Sequence, residues 1–499
     1  MHDRRQFLKK TTSSLSFALL SKLTFPAFSV TDTDLDLAII GGGLAGLTLG
    51  HKLKHQQLKA CVFEANPERL GGRIRTLRNF NDHFVELGGE HINSDHKNIM
   101  NICNELKVEV VKVDSVLAEN KNLDLFYANK HFLNQDELNS VSNIMLNIIK
   151  KDLKNMPKDK LGNIIWPDFE NKNPLWKKFD NTSISEYLNN YKNEIPDWFV
   201  KLISNSMTIL NATDSSLQPS IALMQFFPNS IDSKKFSIWQ NCDESYKIKD
   251  GNSSLIENLA KSVNEHFPIK LGHKIIDIKD KINFFLLTFE TENGLKEVKA
   301  KRVVFALPAK ILPQIAGLSN LELTATKKQA IKKYGFGNSS KTILGFKERF
   351  WLNESTVNPL LKRLGSDEFN GVIWDCTKNQ KSKTGALTRF NGGNIGNSIK
   401  KDEFNGTLKF YEKLWPNVFS FYEKKSAYIN WGNEPYVQGS YSSPLIGQMT
   451  TLYGCWDKSE LNDRLHFIGE HTSKDYYGYM EGACQTAIDL ALKLNNKTT

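Results

Sequence analysis

The sequence has little of what metal sites and disulfide frameworks require. Its 499 residues include six cysteines, which lie far apart, form no Cys-x-x-Cys pair and have no histidine at metal-binding spacing. This pattern argues against zinc, covalently attached haem and a dense disulfide network. We therefore predict no metal site. One long-range disulfide stays open if the chain is exported to an oxidising compartment.

Arginine is scarce as well. The net charge is +10, but 54 of the 65 basic residues are lysines, spread among acids, and only 11 are arginines. Proteins that read phosphates and bases favour arginine, so we predict no nucleic-acid partner. Four of the arginines nevertheless fall within ten residues, and this cluster needs a local explanation: Arg69, Arg73, Arg75 and Arg78.

Long hydrophobic runs are missing beyond the N terminus. Residues 3–10 read DRRQFLKK, and a serine-rich apolar stretch follows over 13–29. This layout is typical of a twin-arginine export signal, predicted over residues 1–30, which would direct the chain to the periplasm or out of the cell. The stretch is too short to span a bilayer and is interrupted by Lys22, so we predict no permanent membrane span. A basic amphipathic tail is the alternative.

A glycine-rich turn follows this N-terminal segment. The apolar run LDLAII at 35–40 is typical of a buried parallel strand, and it leads directly into GGGLAG at 41–46. In such a turn Gly41 permits the tight bend, Gly43 lets the main chain approach a pyrophosphate, and Gly46 lets the next helix pack on the strand. Two further residues belong to the same predicted binding turn, Leu44 and Ala45.

An acidic residue stands where a ribose would be bound. A second predicted strand, at 59–63, ends at Glu64, which lies 18 residues beyond Gly46. A carboxylate at this distance accepts hydrogen bonds from the ribose of a dinucleotide. The next segment, EANPERLGGRIRT, carries a second Gly-Gly turn that would close over a further phosphate-bearing group, a feature that a nicotinamide cofactor does not need. Its candidate binding residues are Arg69, Gly71, Gly72 and Arg73.

This succession of glycine turn, acid, arginine and Gly-Gly-Arg resembles the flavin-containing amine oxidase family, which includes monoamine, polyamine and L-amino acid oxidases. The resemblance implies bound FAD. It extends over nearly the whole chain after the signal, with its strongest motifs near the two ends. The later segments that carry it are FVELGGEHI at 84–92, IKDGNSSLIENLA at 248–260, the strand KIIDI at 274–278, KRVVFALP at 301–308 and LHFIGEHTSKDYYGYMEGACQTA at 465–487.

The resemblance also assigns further residues to the cofactor. The loop of Gly88, Gly89 and Glu90 would approach the edge of the flavin ring, and the main chain of Ile275 would meet the adenine. A helix start near Tyr479 and Met480 would direct its positive end at the N1 and O2 side of the flavin. The turn between the last strand and that helix would meet the ribityl chain through Gly469 and Glu470.

Three residues are assigned to catalysis by the same resemblance. Lys341, in GNSSKTILGFKERFW, matches the family lysine that reaches the flavin N5 through a water molecule. Tyr441, in GSYSS, and Tyr479, in GYMEGA, match the two aromatic positions that hold the substrate amine between them. Two facing rings favour a neutral or cationic nitrogen by about 0.5–2 kcal/mol.

Two positions depart from branches of the family. Where some relatives carry a cysteine bonded to the flavin, this sequence has Ser440, which implies noncovalent FAD. In the amino-acid-oxidising branch an arginine grips the substrate carboxylate, whereas the corresponding region here carries His91. This second difference weakens the case for an L-amino acid substrate.

We therefore predict an α/β fold with a Rossmann-type FAD-binding domain interleaved with an α+β substrate-binding domain. The first is predicted over 34–98, 243–312 and 433–495, and the second over 99–242 and 313–432. The predicted reaction oxidises an amine to an imine, which hydrolyses to a carbonyl, while O2 is reduced to H2O2. An L-amino acid oxidase, a periplasmic amine dehydrogenase and a non-catalytic flavin-binding protein remain alternatives, and a homodimer is left open.

Overall fold

The computed structural model describes residues 29–113, 124–170, 173–227, 231–232, 235–236, 239, 242–352, 360, 362–400 and 404–496. The predicted export signal lies outside this part, apart from the main chain of its last two residues, and it stays a prediction. Across these ranges no helix has the length and apolarity needed to cross a bilayer. All six cysteines are buried and unpaired, so the disulfide that the sequence leaves open is not formed.

Strands supply the framework of the protein. In chain order they are β1 Ser29–Ile40, β2 Ala60–Phe63, β3 Thr76–Phe80, β4 His83–Glu86, β5 Val110–Lys112, β6 Leu125–Ala128, β7 His131–Phe132, β8 Ile231–Asp232, β9 Lys235–Phe236, β10 Tyr246–Ile248, β11 Ile269–Lys270, β12 Lys274–Asp280, β13 Phe285–Thr291, β14 Gly294–Phe305, β15 Ser339–Phe346, β16 Arg363–Ser366, β17 Val372–Asp375, β18 Gly385–Gly392, β19 Tyr422–Asn430 and β20 Leu465–Phe467.

Helices surround these strands. They are α1 Leu44–Leu53, α2 Lys97–Glu105, α3 Gln135–Leu153, α4 Leu175–Asp180, α5 Ile184–Asn189, α6 Asp197–Asn211, α7 Ser220–Phe226, α8 Ser253–Asn264, α9 Ala325–Lys333, α10 Gly393–Ser398, α11 Phe404–Leu414, α12 Val418–Phe421 and α13 Met480–Asn495.

The first sheet joins the two ends of the chain. Its strand order is β11-β2-β1-β14-β13-β12, and β20 pairs with the end of β14. Strands β11, β2, β1, β14 and β20 run parallel, while β13 and β12 add an antiparallel edge. Because β1 comes from the N-terminal region and β20 from the C-terminal region, the glycine turn after β1 and the turn after β20 lie at the same edge of the sheet. This placement confirms the predicted α/β fold class.

The last four residues of strand β1, 37–40, are apolar and buried on both faces of the sheet. Leu37 and Ile39 pack into one cluster with α1, α8 and α13. Ala38 and Ile40 point the other way, into a second cluster that includes residues of α9. Burying each of the leucine and isoleucine side chains stabilises the fold by roughly 1.5–3 kcal/mol. Helix α9 therefore packs on the first sheet although it falls within the range predicted for the substrate-binding domain, whose exact boundaries stay predictions.

The second sheet has the order β19-β15-β18-β17-β16-β6-β7. It is antiparallel except for the pairing of β16 with β6. Strand β15 lies between β19 and β18, and all eight of its residues are buried. This central position holds Lys341 inside the protein, with its neighbours fixed on both sides.

Candidate active site

One large cavity connects the two sheets. Its volume is about 1220 Å³, and its lining runs from Gly43 and Glu64 at one end to Lys341, Tyr441 and Tyr479 at the other. A single small-molecule site usually occupies about 300–1,000 Å³. The cavity therefore has room for a dinucleotide-sized cofactor together with a small substrate, and it brings the N-terminal and C-terminal motifs around one space.

The glycine turn has the conformation that the sequence predicts. Gly41 has φ +116°, and a side chain there would lie 2.6 Å from the carbonyl oxygen of Ala306. At Gly46 an added Cβ would lie 2.0 Å from the carbonyl oxygen of Gly41, so helix α1 can pack only on glycine. At Gly43, by contrast, an added Cβ would meet no atom within 4 Å. Gly43 thus faces open space at the N terminus of α1, as a phosphate site requires.

Glu64 is positioned to bind a diol. It is 8% exposed, and its two oxygens accept hydrogen bonds from the main-chain N–H groups of Gly42 and Asn66, both at 2.8 Å. A carboxylate has about four acceptor sites, so two remain for donors that enter the cavity. Burial raises the pKa of Glu64 above its ordinary value, and further donors would stabilise its charged form.

The second Gly-Gly turn is hydrogen-bonded to the glycine turn that follows β1. Gly71 donates its N–H to the carbonyl of Gly42 at 2.9 Å, and it has φ +100°, while Gly72 has φ +55°. Arg69 holds this turn from below, because its Nη2 donates to the carbonyl of Gly72 at 2.9 Å. Arg69 lines the cavity, and its guanidinium donates hydrogen bonds to main-chain carbonyls of the same loop.

Arg73, which is half-buried, and Glu470, which is buried, form an ion pair across the cavity wall. The Nη1 atom of Arg73 donates to Glu470 and to the carbonyl of Ser440, both at 2.7 Å. Glu470 also accepts hydrogen bonds from the main chain and hydroxyl of Ser442 and from the N–H of Gly478. These donors occupy its carboxylate, so Glu470 holds the segments of the wall together, and its contact with a ribityl hydroxyl stays a prediction. Arg73 keeps its Nε and Nη2 donors for a phosphate.

The start of α13 meets the loop that contains Gly88 and Gly89. A Cβ at Gly89 would lie 3.2 Å from the sulfur of Met480, and one at Gly88 would lie 1.9 Å from the carbonyl oxygen of Arg73. Helix α13 has no side-chain cap at Tyr479, and Tyr479 and Met480 line the cavity, so the positive end of the helix lies at the cavity wall. The other predicted cofactor residues also line this space: Leu44, Ala45, Ile275 and Gly469.

Lys341 is 4% exposed and fully hydrogen-bonded. Its ammonium group donates to the carbonyls of Glu86 at 3.0 Å and Gly88 at 2.8 Å, and to the carboxylate of Glu90 at 3.0 Å. These three bonds use its three donors. In this geometry Lys341 holds the 86–90 loop in place, and its contact with the flavin through a water stays a prediction.

The two predicted tyrosines both line the cavity. The hydroxyl of Tyr441 donates to the carbonyl of Ile209 at 2.7 Å, which fixes its ring. The hydroxyl of Tyr479 lies 2.8 Å from the sulfur of Cys242, and Tyr479 is 36% exposed because it faces the cavity. The structure thus brings both rings to the same space as Lys341.

The profile described as "Flavin containing amine oxidoreductase" matches residues 44–493. The chain belongs to this family. Probable flavin-containing monoamine oxidase A of Dictyostelium discoideum is 23% identical to it, over 93% of this chain and 98% of that protein. Amine oxidase [flavin-containing] B of Homo sapiens is 24% identical, over 90% of this chain and 84% of the human protein. FAD-dependent oxidation of amines is therefore the activity of this chain.

Solved structures show the same fold. Cyclohexylamine oxidase from Brevibacterium oxydans superposes with a TM-score of 0.76 at 16% identity, over 93% of this chain and all of that one. Wild-type putrescine oxidase bound to putrescine superposes with a TM-score of 0.73 at 15% identity, over 93% of this chain and 99% of that one.

The residues present fit FAD. Gly43 leaves space for a pyrophosphate, Glu64 has acceptors free for a ribose, and Arg73 has donors free for a phosphate. Ser440 stands on the wall of the cavity and carries no thiol, so a thioether to the flavin cannot form there.

Several residues of the amine oxidase cavity lie in no motif, so the sequence alone does not identify them as part of the site. Arg363 is buried, and its Nε and Nη2 donate to the carboxylate of Asp124 at 2.9 and 3.1 Å. Its Nη1 donates to the carbonyl of Cys242 and to Glu244. Nothing in the spacing of these residues indicates that they meet, because they come from separate segments joined only by the fold.

His91 lies in the same part of the cavity. Its ring nitrogens are 3.7 Å from Glu90 and 3.8 Å from Glu244, and its ring meets that of Trp374 edge to face. Burial lowers the pKa of His91 to about 4. His91 is therefore neutral near pH 7.

Glu86 makes stability depend on pH. Burial raises the pKa of its carboxyl from 4.5 to about 7. Between these values the folded state holds a proton that the unfolded state has lost, so stability falls as pH rises through this window, by about 3 kcal/mol. We expect Glu86→Gln to remove this contribution. Chemical unfolding at several values between pH 4.5 and 8 measures it, with exposed Glu109→Gln as the control. Equal pH slopes for wild type and Glu86→Gln would contradict the assignment.

Proposed function

We propose that this enzyme oxidises an amine that carries no carboxylate beside the reacting carbon. The amine, O2 and water yield a carbonyl compound, ammonia or a smaller amine, and H2O2. The observation that carries the proposal is the charge arrangement of the substrate end of the cavity. There the cationic side chains are already paired within the protein, and the walls are aromatic.

Among the described residues, Arg363 and Lys341 keep one donor between them for a substrate carboxylate. Arg363 donates four hydrogen bonds, to Asp124, to Glu244 and to the carbonyl of Cys242. The ammonium group of Lys341 donates its three hydrogen bonds to the 86–90 loop. Leaving a buried carboxylate without a partner would cost several kcal/mol. This arrangement favours amines over amino acids.

His91 supports the same conclusion. It stands in the region where the amino-acid-oxidising branch resembled by the sequence carries an arginine. A guanidinium is always charged, whereas His91 is neutral near pH 7, because burial holds its pKa at about 4. Its neighbours Glu90 and Glu244 are carboxylates themselves, so His91 stands beside acceptors and not beside a free cation.

The protein's own part in the reaction is to orient the amine and exclude water. When bound, FAD accepts the two electrons and the hydrogen removed from the carbon that bears the amine. Tyr441, anchored to Ile209, and Tyr479, next to Cys242, offer two ring faces to the nitrogen. Trp374, Phe390 and Val372 supply apolar wall, and such a wall keeps water from the reacting carbon.

A substrate panel tests this proposal. We expect the yellow enzyme to bleach anaerobically with primary or secondary amines, at rates at least a hundredfold above those with the α-amino acids of the same side chain. Faster bleaching with amino acids would overturn the proposal and favour the L-amino acid oxidase. Absence of bleaching with every compound would favour the non-catalytic alternative.

The electron acceptor is tested separately. We expect one H2O2 for each carbonyl formed in air-saturated buffer. A yield far below one, restored by an artificial quinone, would favour the dehydrogenase.

A further inference from the structure

A buried cluster of charges lies behind the 86–90 loop. We call it the Glu90 cluster, after the carboxylate at its centre. Glu90 accepts hydrogen bonds from Lys247 at 2.7 Å, from Lys341 at 3.0 Å and from the indole N–H of Trp374 at 3.1 Å. The side chains of Lys247, Lys341 and Glu90 are 10%, 5% and 3% exposed. Two lysines thus share one carboxylate out of contact with bulk water.

The Glu90 cluster carries an excess positive charge. Burial acts to raise the pKa of Glu90, but Lys247 and Lys341 hold it well below its usual range. The carboxylate is therefore ionised, and the sum over the three charged groups is +1. An unbalanced charge inside a protein is costly unless something else compensates it.

Among the described residues, the other charged groups near the cluster are engaged elsewhere. Asp375 is close enough to attract Lys247. Its carboxylate, however, lies 3.8 Å from a cation of its own, Arg349, and accepts hydrogen bonds from Trp351 and Thr377.

The carboxylate of Glu86 accepts hydrogen bonds from the hydroxyl of Thr76 and the main-chain N–H of Asn252. Because burial raises the pKa of Glu86 to about 7, this group is mostly neutral at pH 6. His91 is neutral there as well, because its pKa is about 4.

The excess charge stands at the cavity wall. Lys341, Glu90 and Trp374 belong to the lining, next to Gly88 and Gly89. Lys247 is joined to this wall through Glu90, and its Nζ lies 3.4 Å from the carbonyl of Cys376 on the far side. Reduction of a flavin adds electrons to the ring, so a fixed positive charge beside the ring favours the reduced form.

We propose that Lys247 is a positioning residue that keeps the Glu90 cluster positively charged and thereby makes bound FAD easier to reduce. This role rests on the proposed function in requiring that FAD fills the cavity with its flavin ring beside the 86–90 loop, as the resemblance implies. It assigns to Lys247 a task that no sequence motif indicates. Glu90 transmits the effect, since it is the only group in the cluster that contacts both lysines.

The midpoint potential of the bound flavin at pH 6 tests this proposal without any turnover. We expect Lys247→Met to shift the equilibrium between oxidised and reduced FAD at least tenfold toward the oxidised form, which lowers a two-electron potential by about 30 mV. Lys247→Arg, which keeps the charge, should restore it. Glu90→Gln should shift the potential in the opposite direction, because it removes the only negative charge of the cluster.

Lys327→Met is the matched control. Lys327 is 1% exposed and is bonded to the carbonyls of Trp456 and Lys458, away from the cavity lining. Its loss should leave the potential unchanged. A purely structural role for Lys247 would be shown by an unchanged potential in Lys247→Met, or by shifts of the same sign in Lys247→Met and Glu90→Gln. A colourless wild-type protein would refute FAD binding itself, which is a separate failure.

Discussion

Replacing Gly43 by valine is expected to give a folded protein that does not retain FAD. Gly43 has ordinary backbone angles, φ −81° and ψ −175°, and an added Cβ would meet no protein atom within 4 Å. The chain can therefore accept the side chain. The space it would fill is the point where a pyrophosphate approaches the N terminus of α1. We expect FAD affinity to fall about a thousandfold, or ~4 kcal/mol.

Absorbance of flavin per protein after gel filtration measures this loss, and titration of the flavin-free protein gives the affinity. Gly406→Ala is the control, because an added Cβ there also meets nothing within 4 Å, and it should keep its flavin. Gly46→Val should instead fail to fold, since its Cβ would lie 2.0 Å from the carbonyl of Gly41. A yellow Gly43→Val protein with wild-type affinity would show that the cofactor lies elsewhere.

The parts of the fold that the sequence predicts are those built from local patterns. Helix α1 begins at Leu44, directly after the glycine turn, and Gly46 is constrained locally because a side chain there would meet the carbonyl oxygen of Gly41, five positions earlier. Helix α13 begins at Met480, after the turn that contains Gly478. Contacts between residues that are close in the chain require particular residue types at a fixed spacing, so a sequence motif can predict them.

The parts that the sequence does not predict depend on contacts between distant segments. Lys247 and Glu90 are 157 positions apart, and Arg363 and Asp124 are 239 apart. Each of these is one charged residue among many, and its burial follows only from the pairing of strands around it. The same holds for Glu470, whose carboxylate accepts a hydrogen bond from Arg73 across 397 positions, while its contact with a ribityl hydroxyl stays a prediction.

The second large effect that we expect is a loss of stability when Glu470 is replaced. We expect Glu470→Ala to lower the free energy of unfolding by about 3–5 kcal/mol, the usual cost of removing one partner of a buried ion pair. The variant leaves the Arg73 guanidinium without its anion, and it also frees the N–H groups of Ser442 and Gly478. Those segments form the wall beside Tyr441 and Tyr479, so flavin retention should fall together with stability.

Denaturant unfolding of the flavin-free protein separates the two effects, and a double-mutant cycle with Arg73→Ala isolates the pair. We expect the double variant to be less destabilised than the sum of the single variants, because each single change strands a buried group that the double change removes. The exposed pair of Arg78 and Glu257, whose side chains are 49% and 57% exposed, provides the control. Glu257→Ala should cost below about 1 kcal/mol. Additive effects of Arg73→Ala and Glu470→Ala would show that the two residues stabilise the wall independently, and the link between the chain's two ends would then rest on the sheet and on the packing of α1 on α13.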